Sequence, residues 1–180
     1  MRYATIEDIY TANERFRGKL LASISGISAD EAAARPSEGG WCVAEIVEHL
    51  AAVEEGMGRI AAKLLREAEA STADNGSDEP WVREELVETF IRSADVKVEA
   101  PERVRPSGEM SIPDSLAKMD ENKAFIDALR EQLAARGRSA ATFPHPFFGA
   151  LSAAEWLALK GLHEARHTRQ IASVLAELRK

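Results

Sequence analysis

The sequence predicts an all-α fold, a four-helix bundle. Four long segments carry apolar side chains at alternating three- and four-residue spacing, which places those side chains on one face of a helix. Strand-like alternation is confined to 96–98, which is too short to support a sheet. A chain of 180 residues suits one domain over 1–180 with a sizeable core.

The first two predicted helices follow from capping signals and apolar stripes. The first runs from Thr5 to about Ser25, because Thr5 is a good N-cap and Asp8 stands three residues later. The second runs from near Cys42 to about Ala70. Its predicted buried stripe comprises Ile46, Leu50, Val53, Met57, Ile60 and Leu64.

A long crossover is predicted between the second and third helices. Residues 71–80 are polar, 81–93 indicate a short helix, and 96–110 contain prolines and a glycine that exclude one regular element. The third helix is predicted from Ile112 to about Ala135, with a stop at Gly137. Residues 142–149 are predicted to form a compact apolar loop.

The fourth predicted helix begins at Ser152, where Glu155 completes a capping box, and runs nearly to Lys180. Its inward stripe contains two histidines and consists of Trp156, His163, His167, Ile171, Val174 and Leu178.

The composition of the chain argues against several classes of function. The net charge of −7 argues against a nucleic-acid partner, since phosphate binding needs a basic surface. A single cysteine excludes an intrachain disulfide. No apolar run approaches the roughly 20 residues that span a bilayer, and the first residues lack the apolar block of a signal peptide. We therefore expect no membrane partner and a cytoplasmic location.

Three of the four histidines form a pattern that is typical of metal sites. His163 and His167 are four residues apart, so they project from one face of a helix as a chelating pair. His49 borders the buried stripe of the second helix. One imidazole from a facing helix would complete a three-nitrogen site with an open position, as in catalytic zinc centres. The alternative is that all three are core histidines satisfied by hydrogen bonds.

Other candidates give weaker signals. His145 lies between two prolines and is either an acid or base near the site or a turn residue. Cys42 is either a reactive thiol at a helix N-terminus or a small buried filler. Three glutamates beside the histidines are candidate acceptors for imidazole N–H groups or exposed helix residues: Glu45, Glu48 and Glu164.

Two stretches resemble the signatures of the DinB-like superfamily, which includes the YfiT-type metal-dependent hydrolases. One is residues 41–50, Trp-Cys-Val-Ala-Glu-Ile-Val-Glu-His-Leu. The other combines 145–149, 155–157 and 163–171. The resemblance implies an up-down-down-up bundle whose metal is held by His49, His163 and His167. Zinc or nickel is the metal that it favours, with manganese and iron left open.

The resemblance also implies a class of reaction. Similar proteins include S-transferases and isomerases that use a low-molecular-weight thiol as cosubstrate. We therefore expect a metal-dependent enzyme that acts on a small molecule, with thiol transfer ahead of hydrolysis. A non-catalytic metal-dependent binding or stress-response module is the alternative. The resemblance also implies a homodimer through helix faces, for which Leu21, Leu65 and Leu175 are candidate contacts.

Overall fold

The computed structural model describes residues 2–37, 39–68, 79–93, 96 and 99–180. The polar segment at 71–80 therefore lies almost wholly outside the described residues. The helices are α1 (Ile6–Ile24), α2 (Ala29–Ala33), α3 (Val43–Glu67), α4 (Glu84–Arg92), α5 (Ile112–Asp127), α6 (Arg130–Arg136) and α7 (Ala153–Leu178). A 3-10 turn spans Glu102–Val104, and two strands, β1 (Phe143–His145) and β2 (Gly149–Leu151), precede α7.

Helices α1, α3, α5 and α7 form the predicted four-helix bundle. Asn13 donates to the carbonyl of Leu157 and Arg17 pairs with Glu164, so α1 and α7 run in the same direction. Asn122 donates to the carbonyl of Ala51 on α3, and Ile126 packs on Gly58, so α5 and α3 also run together.

The two pairs of helices run in opposite directions. His49 lies beside His167, whereas Glu54, farther along α3, pairs with Lys160, which is earlier in α7. Helices α3 and α7 are therefore antiparallel. The order is up-down-down-up, as the resemblance implied, and it brings the two histidine-bearing helices face to face.

Helix ends confirm the capping signals read from the sequence. At α1, the Thr5 hydroxyl accepts from the backbone of Asp8, whose carboxylate accepts from the backbone of Thr5. Ser152 and Glu155 form the same box at α7. Such boxes satisfy backbone donors that have no partner inside the helix. They fix the start of the helix that carries two of the three histidines.

The predicted third helix is interrupted, which corrects its expected range of 112–135. Helix α5 ends at Asp127 and α6 begins at Arg130. The Tyr10 hydroxyl donates to the carbonyl of Ile126, and the backbone N–H of Leu129 donates to that same carbonyl at 3.0 Å. A tertiary hydrogen bond and a tight three-residue turn thus replace the regular helical bond.

Residues 142–149 were expected to form a loop, and this prediction was wrong. Phe143 pairs with Leu151 and His145 with Gly149 in an antiparallel hairpin. Gly149 has φ of 70°, which glycine adopts without strain. Each strand is only three residues long, which is too short for the alternation of apolar and polar side chains that predicts a strand. The hairpin packs on α7 through a hydrogen bond from Trp156 to the carbonyl of Phe143.

Two of the three leucines proposed as partner contacts are in the core. Leu65 is 1% exposed and Leu175 is 6% exposed, whereas Leu21 is 44% exposed. The first two pack inside the bundle and cannot contact a second molecule in this fold. None of the helices in the described ranges has the length and apolar character needed to cross a membrane.

Candidate metal centre

Three histidines from two antiparallel helices meet in the bundle. His49 is contributed by α3, and His163 and His167 are contributed by successive turns of α7. One candidate ligand atom from each ring lies within 4.8 Å of the other two. The Nε2 atoms of His163 and His167 are 3.2 Å apart. The i,i+4 spacing brings His163 and His167 together, and the packing of α3 on α7 adds His49.

Hydrogen bonds on the far side of two rings set their orientation. Nδ1 of His49 is 2.7 Å from the carbonyl oxygen of Val104, and Nδ1 of His167 is 2.7 Å from Oε1 of Gln170. Because a carbonyl oxygen only accepts, the proton of each ring is on Nδ1. The Nε2 lone pairs then face the centre of the cluster, as they do in metal-binding histidines.

Burial keeps all three imidazoles neutral. It lowers the pKa of His49, and it lowers the pKa of His167 to about 3. The pKa of His163 lies well below its ordinary value because of burial and because His167 and His49 are its neighbours. A neutral imidazole is the form that binds a metal ion. The cluster therefore offers its ligands in the required state at neutral pH.

The dimensions of the cluster fit a metal ion. Metal–nitrogen bonds of about 2.0–2.1 Å at a tetrahedral ion separate two nitrogen ligands by roughly 3.3 Å. The 3.2 Å between His163 and His167 matches this value, and the candidate ligand atoms of all three rings lie within 4.8 Å of one another. Within the described ranges, no cysteine or carboxylate joins the three histidines as a further ligand.

The three glutamates near the histidines form hydrogen bonds and ion pairs with residues other than the histidines. Glu45 pairs with Arg35, and Glu48 accepts from the backbone of Ser107 and Gly108. Glu164 pairs with Arg17 of α1 and with Lys160 one turn earlier on α7. The imidazole acceptors are Val104 and Gln170, which sequence reasoning missed. Gln170 stands three residues after His167, a spacing that permits contact, whereas a backbone carbonyl such as that of Val104 leaves no sequence signal.

Trp41 borders the cluster. Its ring centroid is 4.8 Å from that of His49, and its side chain is half-buried. The neighbouring Cys42 is buried at the N-cap of α3. This burial favours the filler interpretation of the cysteine over the reactive one.

His145 lies outside the cluster, at the end of β1. Its ring is 4.8 Å from that of Phe148 and 5.2 Å from that of Trp156, which is on α7 two turns before His163. Burial lowers its pKa to about 4. His145 also contributes to the lowered pKa of His163, which places its ring within electrostatic reach of the cluster.

Comparisons with known proteins agree with this architecture. The family model of the DinB superfamily matches residues 12–171. The Bacillus subtilis (strain 168) protein "Uncharacterized protein YuaE" is 27% identical over 158 residues, which cover 84% of this chain and 87% of that protein. The crystal structure of TT2238, a four-helix bundle protein, matches with a TM-score of 0.62 and 25% identity over 94% of this chain and 99% of that one. The chain belongs to the DinB superfamily.

Proposed function

We propose that this protein is a metal-dependent enzyme whose ion is held by Nε2 of His49, His163 and His167. The observation that carries the proposal is the convergence of three neutral imidazoles, whose candidate ligand atoms lie within 4.8 Å of one another, with the Nε2 atoms of His163 and His167 3.2 Å apart. Without a cation, the Nε2 lone pairs of His49 and His167 have at most the single proton of His163 to share, which costs free energy in a buried site. Imidazole ligands suit zinc and nickel, which are the metals that we propose first.

The chain's own residues prepare the site before the ion arrives. Val104 and Gln170 hold two of the rings in one tautomer and one orientation. Burial removes competing protons from the ligands over the neutral pH range. Three protein ligands leave a coordination position open, which is the arrangement of catalytic rather than structural zinc sites.

The reaction that we propose is S-transfer from a low-molecular-weight thiol to a small electrophile. The bound ion would supply Lewis acidity, which lowers the pKa of a coordinated thiol or water. In the overall reaction the thiol sulfur forms a bond to an electrophilic carbon, and the leaving group departs with the thiol proton. Hydrolysis is the second candidate, and the same three histidines would serve it with water in place of the thiol.

His145 is the candidate for a contact with the substrate. The backbone N–H of Phe147 donates to its Nδ1 at 3.1 Å, so the ring proton is on Nε2. With a pKa of about 4 the ring is neutral at neutral pH. In this state His145 serves as a hydrogen-bond donor to a polar atom of the substrate and not as a general acid.

The first experiment is elemental analysis of protein purified without a metal-affinity step. We expect about one zinc or nickel ion per chain in the wild type and none in His163→Ala. His145→Ala is the matched control, since it removes a histidine outside the cluster and should keep the metal. If the wild type holds no metal and does not take up zinc or nickel on reconstitution, the proposal is wrong.

The metal-loaded protein is then assayed with an alkyl halide electrophile in the presence and absence of a small thiol such as cysteine. Product that requires both the thiol and His163 supports S-transfer. Turnover of an ester without any thiol, lost in His163→Ala, supports hydrolysis instead. Metal binding with neither activity across a broad panel would favour the non-catalytic binding module.

A further inference from the structure

Four oppositely charged side chains close a ring inside the bundle, and we refer to Arg17, Glu54, Lys160 and Glu164 as the charged ring. Arg17 is on α1, Glu54 is on α3, and the other two are on α7. None of the four is more than 7% exposed. The charged ring therefore joins the two helices that carry the histidines to a third helix.

Positive and negative groups alternate around the charged ring. Arg17 donates to Oε2 of Glu54 at 2.7 Å and from its Nε to Oε1 of Glu164. The Lys160 ammonium lies 2.9 Å from the other oxygen of Glu54 and 3.3 Å from the other oxygen of Glu164. Each carboxylate thus uses one oxygen for each cation. Asp120, at the surface, lies 3.9 Å from Arg17 and is outside the closed circuit.

The charged ring lies directly beneath the histidine cluster. Lys160 is three residues before His163 and Glu164 is the residue after it, so the ring and the cluster share one turn of α7. A cavity of about 10 Å³ is lined by His163 and by three members of the charged ring. That volume accommodates about one water molecule, so the two assemblies are in adjacent layers of the bundle.

Stability does not explain why these charges are buried. Well-packed apolar residues in place of a buried ion network are often neutral or stabilising, because desolvation offsets the attraction between the charges. The cost shows at Glu54, whose pKa burial raises although Lys160 and Arg17 act to lower it. We therefore expect the charged ring to have a role beyond stability.

We propose that the charged ring positions α7 about its own axis so that His163 and His167 face His49. This inference rests on the proposed metal site. Successive residues of a helix are about 100° apart, so a rotation by one residue would carry both His163 and His167 away from α3. The same rotation would break the two pairs that α7 makes with its neighbours, Glu164 with Arg17 and Lys160 with Glu54, and leave each of the four buried charges with one of its two partners. Apolar contacts alone discriminate such rotations weakly, since they are non-directional.

The test replaces the whole charged ring with apolar residues in the full-length protein. The variant carries Arg17→Met, Glu54→Leu, Lys160→Met and Glu164→Leu, so that no unpaired charge remains in the core. Cobalt(II) is the probe, because its visible spectrum reports the coordination geometry while its titration gives the affinity. We expect the variant to remain helical, to bind cobalt roughly 10- to 100-fold more weakly, and to give a broadened spectrum.

Two further variants separate positioning from loss of stability. Leu133→Ala removes a fully buried side chain of α6, away from the cluster, and should lower stability while the cobalt affinity remains that of the wild type. Glu54→Gln keeps the shape of the side chain but removes one charge. It should weaken cobalt binding less than the fourfold replacement does. It also keeps the proposal testable if that replacement does not fold.

A second readout does not depend on the metal. Proton NMR of the metal-free proteins reports contacts between the rings of His49 and His163, whose centroids are 5.2 Å apart. We expect these contacts in the wild type and in Leu133→Ala but not after replacement of the charged ring. Retained contacts together with wild-type cobalt affinity would overturn the positioning role. A wild type that binds no cobalt would instead overturn the proposed function, and the NMR contacts alone would then decide the role of the charged ring.

Discussion

The histidine cluster and the charged ring are both polar assemblies shared by α3 and α7, but only one of them is complete. In the charged ring every carboxylate oxygen lies within 3.3 Å of a nitrogen of Arg17 or Lys160. In the cluster, three neutral rings face one another, and the Nε2 atoms of His163 and His167 lie 3.2 Å apart with at most one proton between them. A closed assembly contributes to structure, whereas an incomplete one calls for an external group. This difference is the reason for which we propose the cluster as the binding site.

The largest effect is expected from opening the charged ring at one point. Arg17→Met leaves Glu54 and Glu164 facing each other in the core with only Lys160 between them. Removing one partner of a buried ion pair destabilises a protein by about 3–5 kcal/mol. We expect this loss in the free energy of unfolding of the metal-free protein, measured by urea denaturation.

The fourfold apolar replacement is the control for that experiment. Because it leaves no uncompensated charge, its free energy of unfolding should lie within about 1–2 kcal/mol of the wild type, or above it. If the single and the fourfold variants lost the same stability, the charged ring would be stabilising in its own right. The contrast with the cluster would then have to be abandoned.

The protein should gain stability when a metal ion binds to the histidine cluster. Free zinc at about 1,000 times its dissociation constant should raise the free energy of unfolding by about 4 kcal/mol. His163→Ala should show no such gain, because it removes one of the three proposed metal ligands. Urea denaturation with and without zinc measures this, and an equal gain in both proteins would place the metal elsewhere.

A smaller effect should appear on acidification through His145, which belongs to neither assembly. Its pKa is about 4 in the folded protein against 6.5 ordinarily. The unfolded chain therefore takes up a proton first as the pH falls. The stability associated with the neutral ring is complete above about pH 6.5 and is lost progressively as the pH falls towards 4.

His145→Gln isolates this contribution, since glutamine does not titrate. Between about pH 7 and pH 4.5 the metal-free wild type should lose roughly 2 kcal/mol more than the variant. Urea denaturation at the two pH values gives the comparison. Equal losses would mean that His145 is more exposed than its contacts with Phe148 and Trp156 indicate.

Much of the fold and the pairing of His163 with His167 could be predicted from helical periodicity, whereas the approach of His49 to that pair was implied by the resemblance to the DinB-like superfamily. A stripe such as Ile46 to Leu64, or the spacing of His163 and His167, depends on side chains a few residues apart. The break at 128–129 could not be predicted in this way. It depends on Tyr10, which is more than a hundred residues away in the chain.

The charged ring could not be predicted for a related reason. Lys160 and Glu164 are four residues apart, which is also the spacing of an ordinary exposed helix pair. Only the packing of α1 and α3 against α7 brings Arg17 and Glu54 to them and excludes water. The orientation of His49 by the carbonyl of Val104 is likewise a tertiary contact made by backbone.

The smallest effect comes from an exposed pair with the same helical spacing, Glu88 and Arg92 on α4. Their atoms approach to 3.8 Å, but the side chains are 66% and 72% exposed. Exposed i,i+4 pairs contribute about 0.3–0.5 kcal/mol, and salt screens them. Glu88→Gln should therefore change the free energy of unfolding by no more than that, and by less at high salt. Glu164→Gln, which alters the buried pair at the same spacing, should cost several times as much and respond little to salt. Equal costs for the two variants would show that burial does not distinguish the charged ring from a surface pair.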